Sequence, residues 1–355
     1  MKDVSPTKAE EGLVGISLNA STGTNETTGS IILGTDFSTG IYGEASSTLT
    51  NAGSITGDKQ KAVGMAAKAS TATNNSGATI TLSGANSTGM FGLAVGLTKS
   101  TLTNSGTING NGEGAVGIAV NDSKATNNSG ATINLTAKKS TGMFGENNST
   151  LTNAGNITGT ADNAVGMAAK GSTATNNATI TLNGANSKGM FGEADGTNKS
   201  NIVNNGTITG VNGSTVGMAV DGSKATNNSG KSIVLEGKGS TGIFGKNGSI
   251  VTNAGTIETK TALPSNSTEG LVGIALNAST GTNTSTGEIK LGTAHSTGIF
   301  GEASSTITNA GKITGAKDIA GIVGIASDNS TVANNSGATI TLQGIKSTGI
   351  FGKAG

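Results

Sequence analysis

The tetrapeptide Val-Gly-Ile/Met-Ala/Ser returns seven times, with its Val at Val14, Val63, Val116, Val165, Val216, Val272 and Val323, at steps of 49, 53, 49, 51, 56 and 51 residues. A second motif, Ser-Thr-Gly-Ile/Met-Phe-Gly with small variations, falls between these sites and places an aromatic at Tyr42, Phe91, Phe144, Phe191, Phe244, Phe300 and Phe351. A period of this kind governs the architecture, because self-similar units in register imply a stacked array and not a set of unrelated domains. Each of the seven repeats of about 50 residues is itself two related halves of about 25. Val63-Gly-Met-Ala, Ser70-Thr-Ala-Thr-Asn74 and Thr79-Ile-Thr-Leu82 align with Thr88-Gly-Met-Phe91, Ser100-Thr-Leu-Thr-Asn104 and Thr107-Ile-Asn109.

Each half holds three short segments rich in Val, Ile and Thr, alternating with period two and bounded by Gly, Asn or Ser, which reads as strands between tight turns. No stretch shows a helical period. A unit of three strands cannot bury its own apolar face, whereas coils stacked at ~4.8 Å form a continuous core. The expected fold is therefore all-β: a right-handed parallel β-helix, or solenoid, of about 13 to 14 coils with about 25 residues per coil, on the order of 60 Å long. Residues 1–11 depart from the pattern and read as a leader or a truncated preceding coil. Residues 12–355 read as a single β-helix that breaks off within a repeat after Phe351-Gly-Lys-Ala-Gly355. Pro6 and Pro264 each lie six residues before Gly-Leu-Val-Gly, so blocks of several repeats look duplicated.

One Asn falls in each coil: Asn25, Asn51, Asn74, Asn104, Asn127, Asn153, Asn176, Asn204, Asn227, Asn253, Asn283, Asn309 and Asn334. These read as a structural turn ladder whose amides hydrogen-bond from coil to coil, as Asn ladders do in stacked sheets. Corner Gly and Asn would supply positive φ where the chain turns. The interior is assigned to the Val-x-Ile/Met pair, to the central residue of Ser-Thr-x-Thr-Asn (Leu49, Ala72, Leu102, Ala125, Leu151), and to Ile80 and Leu82 with their equivalents.

The aromatic register supports two placements. Strict alternation after Ile41 puts Tyr42 outside, where seven aromatics at ~10 Å intervals would form a ligand-contact stripe. Volume argues the other way, since the coil with Phe91 and Leu102 has Gly110 where its neighbour, with Ala66 and Ala72, has Leu82, as though one core volume were conserved. The volume argument favours an inward or corner-packed stack.

Composition removes most chemistry. There is no Cys and one His, so thiolate catalysis, disulfides, Cys-ligated zinc and a His-based triad or metal site are disfavoured. The 22 basic residues, all Lys, are offset by 21 acids, which leaves no footprint for nucleic acid. No apolar run approaches a bilayer span, and Met1-Lys2-Asp3-Val4-Ser5-Pro6 lacks the apolar middle of a signal peptide. No metal or cofactor is expected. Gly112-Glu-Gly114-Ala-Val-Gly117 fits the dinucleotide fingerprint only by composition, because it lacks a preceding strand that feeds a helix. The calcium-binding Gly-Gly-x-Gly-x-Asp repeat is absent. Glu44, Glu146, Glu193 and Glu302 follow the aromatic-Gly step, but two coils, or about 10 Å, is at the limit for paired glycosidase carboxylates. With Lys246 and Lys353 in the same register they read as a solvated charge stripe, and the chain is expected not to be an enzyme. Asn-x-Ser/Thr sequons such as Asn19-Ala-Ser21 carry little information in so Asn- and Thr-rich a chain.

Leu/Ala-Val-Gly-Ile/Met, Ser-Thr-Gly-Ile/Met-Phe-Gly and Thr-Asn-x-Gly-x-Ile-Thr-Gly, repeated in register over residues 12–355, resemble the repeat regions of autotransporter (type V secreted) adhesin passengers, most closely the large fusobacterial type. The resemblance implies a right-handed β-helix carried through the outer membrane by a C-terminal β-barrel, here absent, and displayed at the cell surface. It implies, as partner, a protein or glycan on a host cell or neighbouring bacterium. A lack of Cys fits export of an unfolded chain through a pore.

On this reading the segment is an adhesin shaft making multivalent, individually weak contacts, with the turns at Gly92–Lys99 and Glu258–Glu269 as protrusions. The alternatives are a structural spacer without its own ligand, and a matrix or fibre-forming solenoid in which unpaired coil ends stack end to end. Ice binding is a third, suggested by Thr71-x-Thr73 and Thr79-x-Thr81. Lys124, Lys224, Glu288-x-Lys290 and Val234 break that array.

Overall fold

A computed structural model of the protein describes residues 12–260 and 270–353. The proposed leader, Pro6, Pro264, most of the 258–269 turn and the last two residues lie outside that set. The described chain is an all-β, right-handed-type parallel solenoid of about 13 turns, each of about 25 residues, with three parallel sheets and no helix. It divides into two compact units, residues 1–179 and 180–355.

In the first unit a typical coil consists of a six-residue strand, Val63–Lys68, and two four-residue strands, Thr71–Asn74 and Thr79–Leu82. The next coil repeats it as Thr88–Leu93, Thr101–Asn104 and Thr107–Gly110. Every third strand pairs in parallel, with Met65 beside Met90, Ala72 beside Leu102 and Ile80 beside Ile108. The first sheet of this unit runs from Val14–Asn19 to Val165–Lys170 and the second from Thr22–Asn25 to Thr173–Asn176. The second unit has the same plan, its first sheet running from Lys188–Glu193 to Thr348–Lys353.

A glycine holds the coils at this spacing. The six-residue strand departs from simple alternation: Gly64 and Met65 are both buried, while Val63 and Ala66 face outward. A Cβ on Gly117 would come within 2.5 Å of the Gly142 carbonyl oxygen in the next coil and within 2.6 Å of Ile133 Cγ2. Gly64, Gly89 and Gly142 meet their neighbours in the same way. Neighbouring backbones approach too closely there for any side chain. This break corrects one expectation: the Val of Val-x-Ile/Met is not interior, since Val63, Val116 and Val165 are half-exposed. Ala62 and Ala115 before it, and Ala67 and Val120 beyond, line the interior instead. Leu49, Ala72, Leu102, Ala125, Leu151, Ile80 and Leu82 are buried.

Two side-chain ladders run inside. In the first unit each Asn Nδ2 donates to the Oδ1 of the next, from Asn25 through Asn51, Asn74, Asn104, Asn127 and Asn153 to Asn176, at 2.8 Å throughout. The second unit repeats this from Asn204 through Asn227, Asn253 and Asn283 to Asn309 and Asn334. Several of the amides also donate to turn carbonyls, as Asn104 does to Gly106 at 3.2 Å, so the buried side-chain atoms of the ladder each have a hydrogen-bond partner. These Asn end the second-sheet strands facing inward, and positive φ falls on other residues such as Asn86, Asn147 and even Ala69. A Ser ladder, not foreseen, lies one corner earlier. The Ser70, Ser100 and Ser123 amides donate to the hydroxyls of Ser100, Ser123 and Ser149 at 3.1 to 3.2 Å. Its signal was visible as the invariable Ser that opens Ser-Thr-x-Thr-Asn.

Candidate functional site

The outward face of the first sheet carries three rows of side chains. The middle row holds the aromatics. Tyr42, Phe91, Phe144, Phe191, Phe244 and Phe300 are half-buried and point away from the core, and Phe351 is 56% exposed. The inward or corner-packed stack is thereby overturned: alternation beyond Met90 puts Phe91 outside and Gly92 inside. The volume pattern is real, but its members are inward residues, with Gly92, Leu102 and Gly110 in one coil and Val120, Ala125 and Leu135 in the next.

Along the sheet each ring lies between small residues: Tyr42 between Ser17 and Ala66, Phe91 between Ala66 and Ala119, and Phe144 between Ala119 and Ala168. The second unit keeps this alternation, with Phe244 between Ala219 and Ala275 and Phe300 between Ala275 and Ala326. Rings therefore recur every second strand, at roughly 10 Å, with a shallow socket between them.

One flanking row is Thr or Val, such as Thr88 and Val116, with Lys188 in the same place in the second unit. The other, apart from Leu93, is charged or amide-bearing, and many of its members are laterally paired. Glu44 lies 3.7 Å from the Lys68 ammonium and accepts the Tyr42 hydroxyl proton at 2.8 Å. Burial, then the bond to Glu44 and its charge, raise the Tyr42 hydroxyl above its usual pKa. Glu146 accepts from Asn121 Nδ2 at 2.8 Å and sits beside Lys170 in register. Glu193 is in register with Asp221. Asp221 in turn is held by Lys246 at 2.9 Å and Asn247 at 2.7 Å, bonds that keep its carboxyl below the usual range. Glu302 accepts from Asn277 at 2.7 Å, and Lys353 pairs with Asp328 at 3.5 Å. The Lys188 ammonium stands 5.7 Å from the Phe191 ring centroid, within cation–π range. Among the described residues no group of three or more His, Asp or Glu is placed to hold a metal ion.

The insertion after Leu93 closes as a tight turn. Val95 and Thr98 exchange backbone hydrogen bonds at 3.0 and 3.1 Å, Gly96 has φ +59°, and Leu97 stands fully exposed. Asp195 and Asn198 form the same turn in the second unit, with Thr197 at the tip. On the second sheet Thr71 and Thr73 face outward, and exposed Lys124 interrupts that array in the first unit.

Three successive stretches, residues 1–119, 109–227 and 218–321, match the BigA third pectate lyase-like domain. The chain belongs to that family. No curated protein matches it. The BigA-type match falls along the solenoid three times over, which agrees with a chain built by repetition of multi-coil blocks.

Proposed function

We propose that this BigA-type solenoid is a surface-displayed segment of a bacterial autotransporter passenger, of the large fusobacterial type, that acts as an adhesive shaft. The observation that carries the reading is the outward face of the first sheet, where rings in sockets are flanked by a row of charged and amide groups, coil after coil. Such a face offers many equivalent weak contacts, and repetition converts weak contacts into avidity. The fitting partner is a protein or glycan on a host cell or a neighbouring bacterium, and anchorage would come from an outer-membrane β-barrel elsewhere in the whole protein.

We read the segment as non-catalytic although its family name includes a lyase. The carboxylates of the charged row engage Lys and Asn neighbours along the sheet, and the sole His, His295, lies in a turn with φ +58°. The test is binding of the folded chain to host cells, glycan arrays and partner bacteria, with Phe91→Ser/Phe144→Ser as the comparison. Saturable binding that the substitutions weaken supports the face as the contact surface. Absence of saturable binding across the panel would make the segment a spacer and sink the adhesive reading.

A further inference from the structure

The same face has a symmetry that points to a more particular partner. We propose that, in the unit of residues 1–179, the outward face of the first sheet packs against the same face of a second copy of this chain, with the two solenoid segments antiparallel. The inference stands on the face's own geometry and does not depend on where the chain is displayed.

A two-fold axis parallel to the strands reverses the order of coils but keeps each row of side chains opposite its own counterpart, giving an isologous contact. Place that axis midway between strands Thr88–Leu93 and Val116–Asn121. Coils with rings then face coils with alanines. Phe91 of one copy meets Ala119 of the other, Phe144 meets Ala66, and Tyr42 meets Ala168, as knobs into sockets one strand out of phase. Any axis midway between adjacent strands would produce this fit, so the middle row alone does not choose among them.

The charged row does choose. Its order along the sheet is Glu44, Lys68, Leu93, Asn121, Glu146 and Lys170. With the axis at this position Glu44 faces Lys170 of the second copy, Lys68 faces Glu146, and Leu93 faces Asn121. Two-fold symmetry repeats each pair, so every ionised group of the row meets its opposite and no like charges meet. Moving the axis by one strand either way sets these charges against Asn19, Leu93 or Asn121 or past the end of the unit, and loses all the pairs within it; moving it by two strands keeps a single kind of pair, Glu44 with Lys68 or Glu146 with Lys170, where the chosen axis makes two. Within each copy Glu44 keeps its pairing with Lys68 and Glu146 its place beside Lys170, so the charges join four-charge clusters across the interface. Charge order of this kind sets register and orientation more than raw affinity.

Six strands at ~4.8 Å, each about 20 Å long, cover roughly 600 Å² per copy, at the low end for specific association. The expected complex is therefore a weak, reversible dimer.

Sedimentation of the full chain across a concentration series tests this, together with two variants. The charge-inverted variant Glu44→Lys/Lys68→Glu/Glu146→Lys/Lys170→Glu keeps the neighbour pairs within a chain as well as the pairs across the axis. Wild type and inverted variant should each dimerise reversibly. A mixture carrying two fluorescent labels should form mixed dimers at least about tenfold less readily than either forms its own. Ala119→Phe fills the central socket and should weaken dimerisation by a similar factor, with circular dichroism unchanged. Should the fourfold variant fail to fold, exposed Lys68→Glu alone should weaken the dimer. A wild-type chain that stays monomeric at high concentration overturns the proposal. So do mixed dimers that form as readily as pure ones, or association unaltered by Ala119→Phe or Lys68→Glu.

Discussion

Two neighbouring coils of the first unit solve one packing problem in opposite ways. The coil of Thr88–Leu93, Thr101–Asn104 and Thr107–Gly110 sends Gly92, Leu102 and Gly110 inward. The next, of Val116–Asn121, Lys124–Asn127 and Thr132–Leu135, sends Val120, Ala125 and Leu135. Bulk sits on the second wall in one coil and on the first and third walls in the other. Because the coils stack at strand spacing, side chains of each fill what its neighbour leaves empty, and close packing is met across pairs of coils. Outside, the same alternation runs as Phe91 against Ala119. Outer alternation runs in step with inner alternation: the coil that sends Gly92 inward carries Phe91 outward, and the coil that sends Val120 inward carries Ala119.

Breaking what both coils share should cost most. Gly117→Val places a branched side chain against the Gly142 carbonyl and Ile133, and more than about 3 kcal/mol of local stability should be lost, seen as vanished hydrogen-exchange protection in the flanking strands. The distinction between the coils is the next target. Leu102→Ala should cost ~3 kcal/mol in the ring-bearing coil. Gly92→Val, whose new side chain would press on Leu102 and Val120, should cost about 2 kcal/mol alone. Together they recreate the first and second walls of the neighbour, with Gly110 still on the third, so denaturant titration should show the double variant losing at least about 1 kcal/mol less than the sum. A loss equal to or above the sum would refute shared packing between the two walls. Phe91→Ser, on the outward side, should cost only ~1 kcal/mol or less in thermal unfolding. A loss of ~3 kcal/mol or more would return the ring to the core.

The smallest effect is electrostatic and belongs to the second unit. Lys246 and then Asn247 hold the Asp221 carboxyl below its ordinary pKa of 3.8. Their contribution is present above the unfolded-state value and disappears as pH falls through the folded one. Asp221→Asn should remove this acid limb and shift stability at neutral pH by only about 0.5 kcal/mol, because the pair is partly solvated.

Periodicity made much of this legible. Fixed spacing of Val-Gly-Ile/Met and Ser-Thr-x-Thr-Asn implied stacked coils, and a single Asn per coil implied a ladder, because every neighbour in a solenoid is the equivalent position one turn away. Alternation also read Tyr42 as outward. What misled was adding Phe91 to a core volume whose large inward member in that coil is Leu102. The Ser ladder was equally periodic, but its bonds run from backbone amide to hydroxyl, and nothing in the spacing shows which atom of a Ser meets its neighbour.

Sequence alone determined the coil, its three strands and the residue types at each corner, since these depend on local propensity and on a period that copies itself. Tertiary structure decided which way the rings and the Val of each repeat face. That choice rests on Gly64 and its equivalents, where adjacent backbones come too close for a Cβ and the strand gives up strict alternation. An approach between coils is a property of the stack, and no single coil contains it.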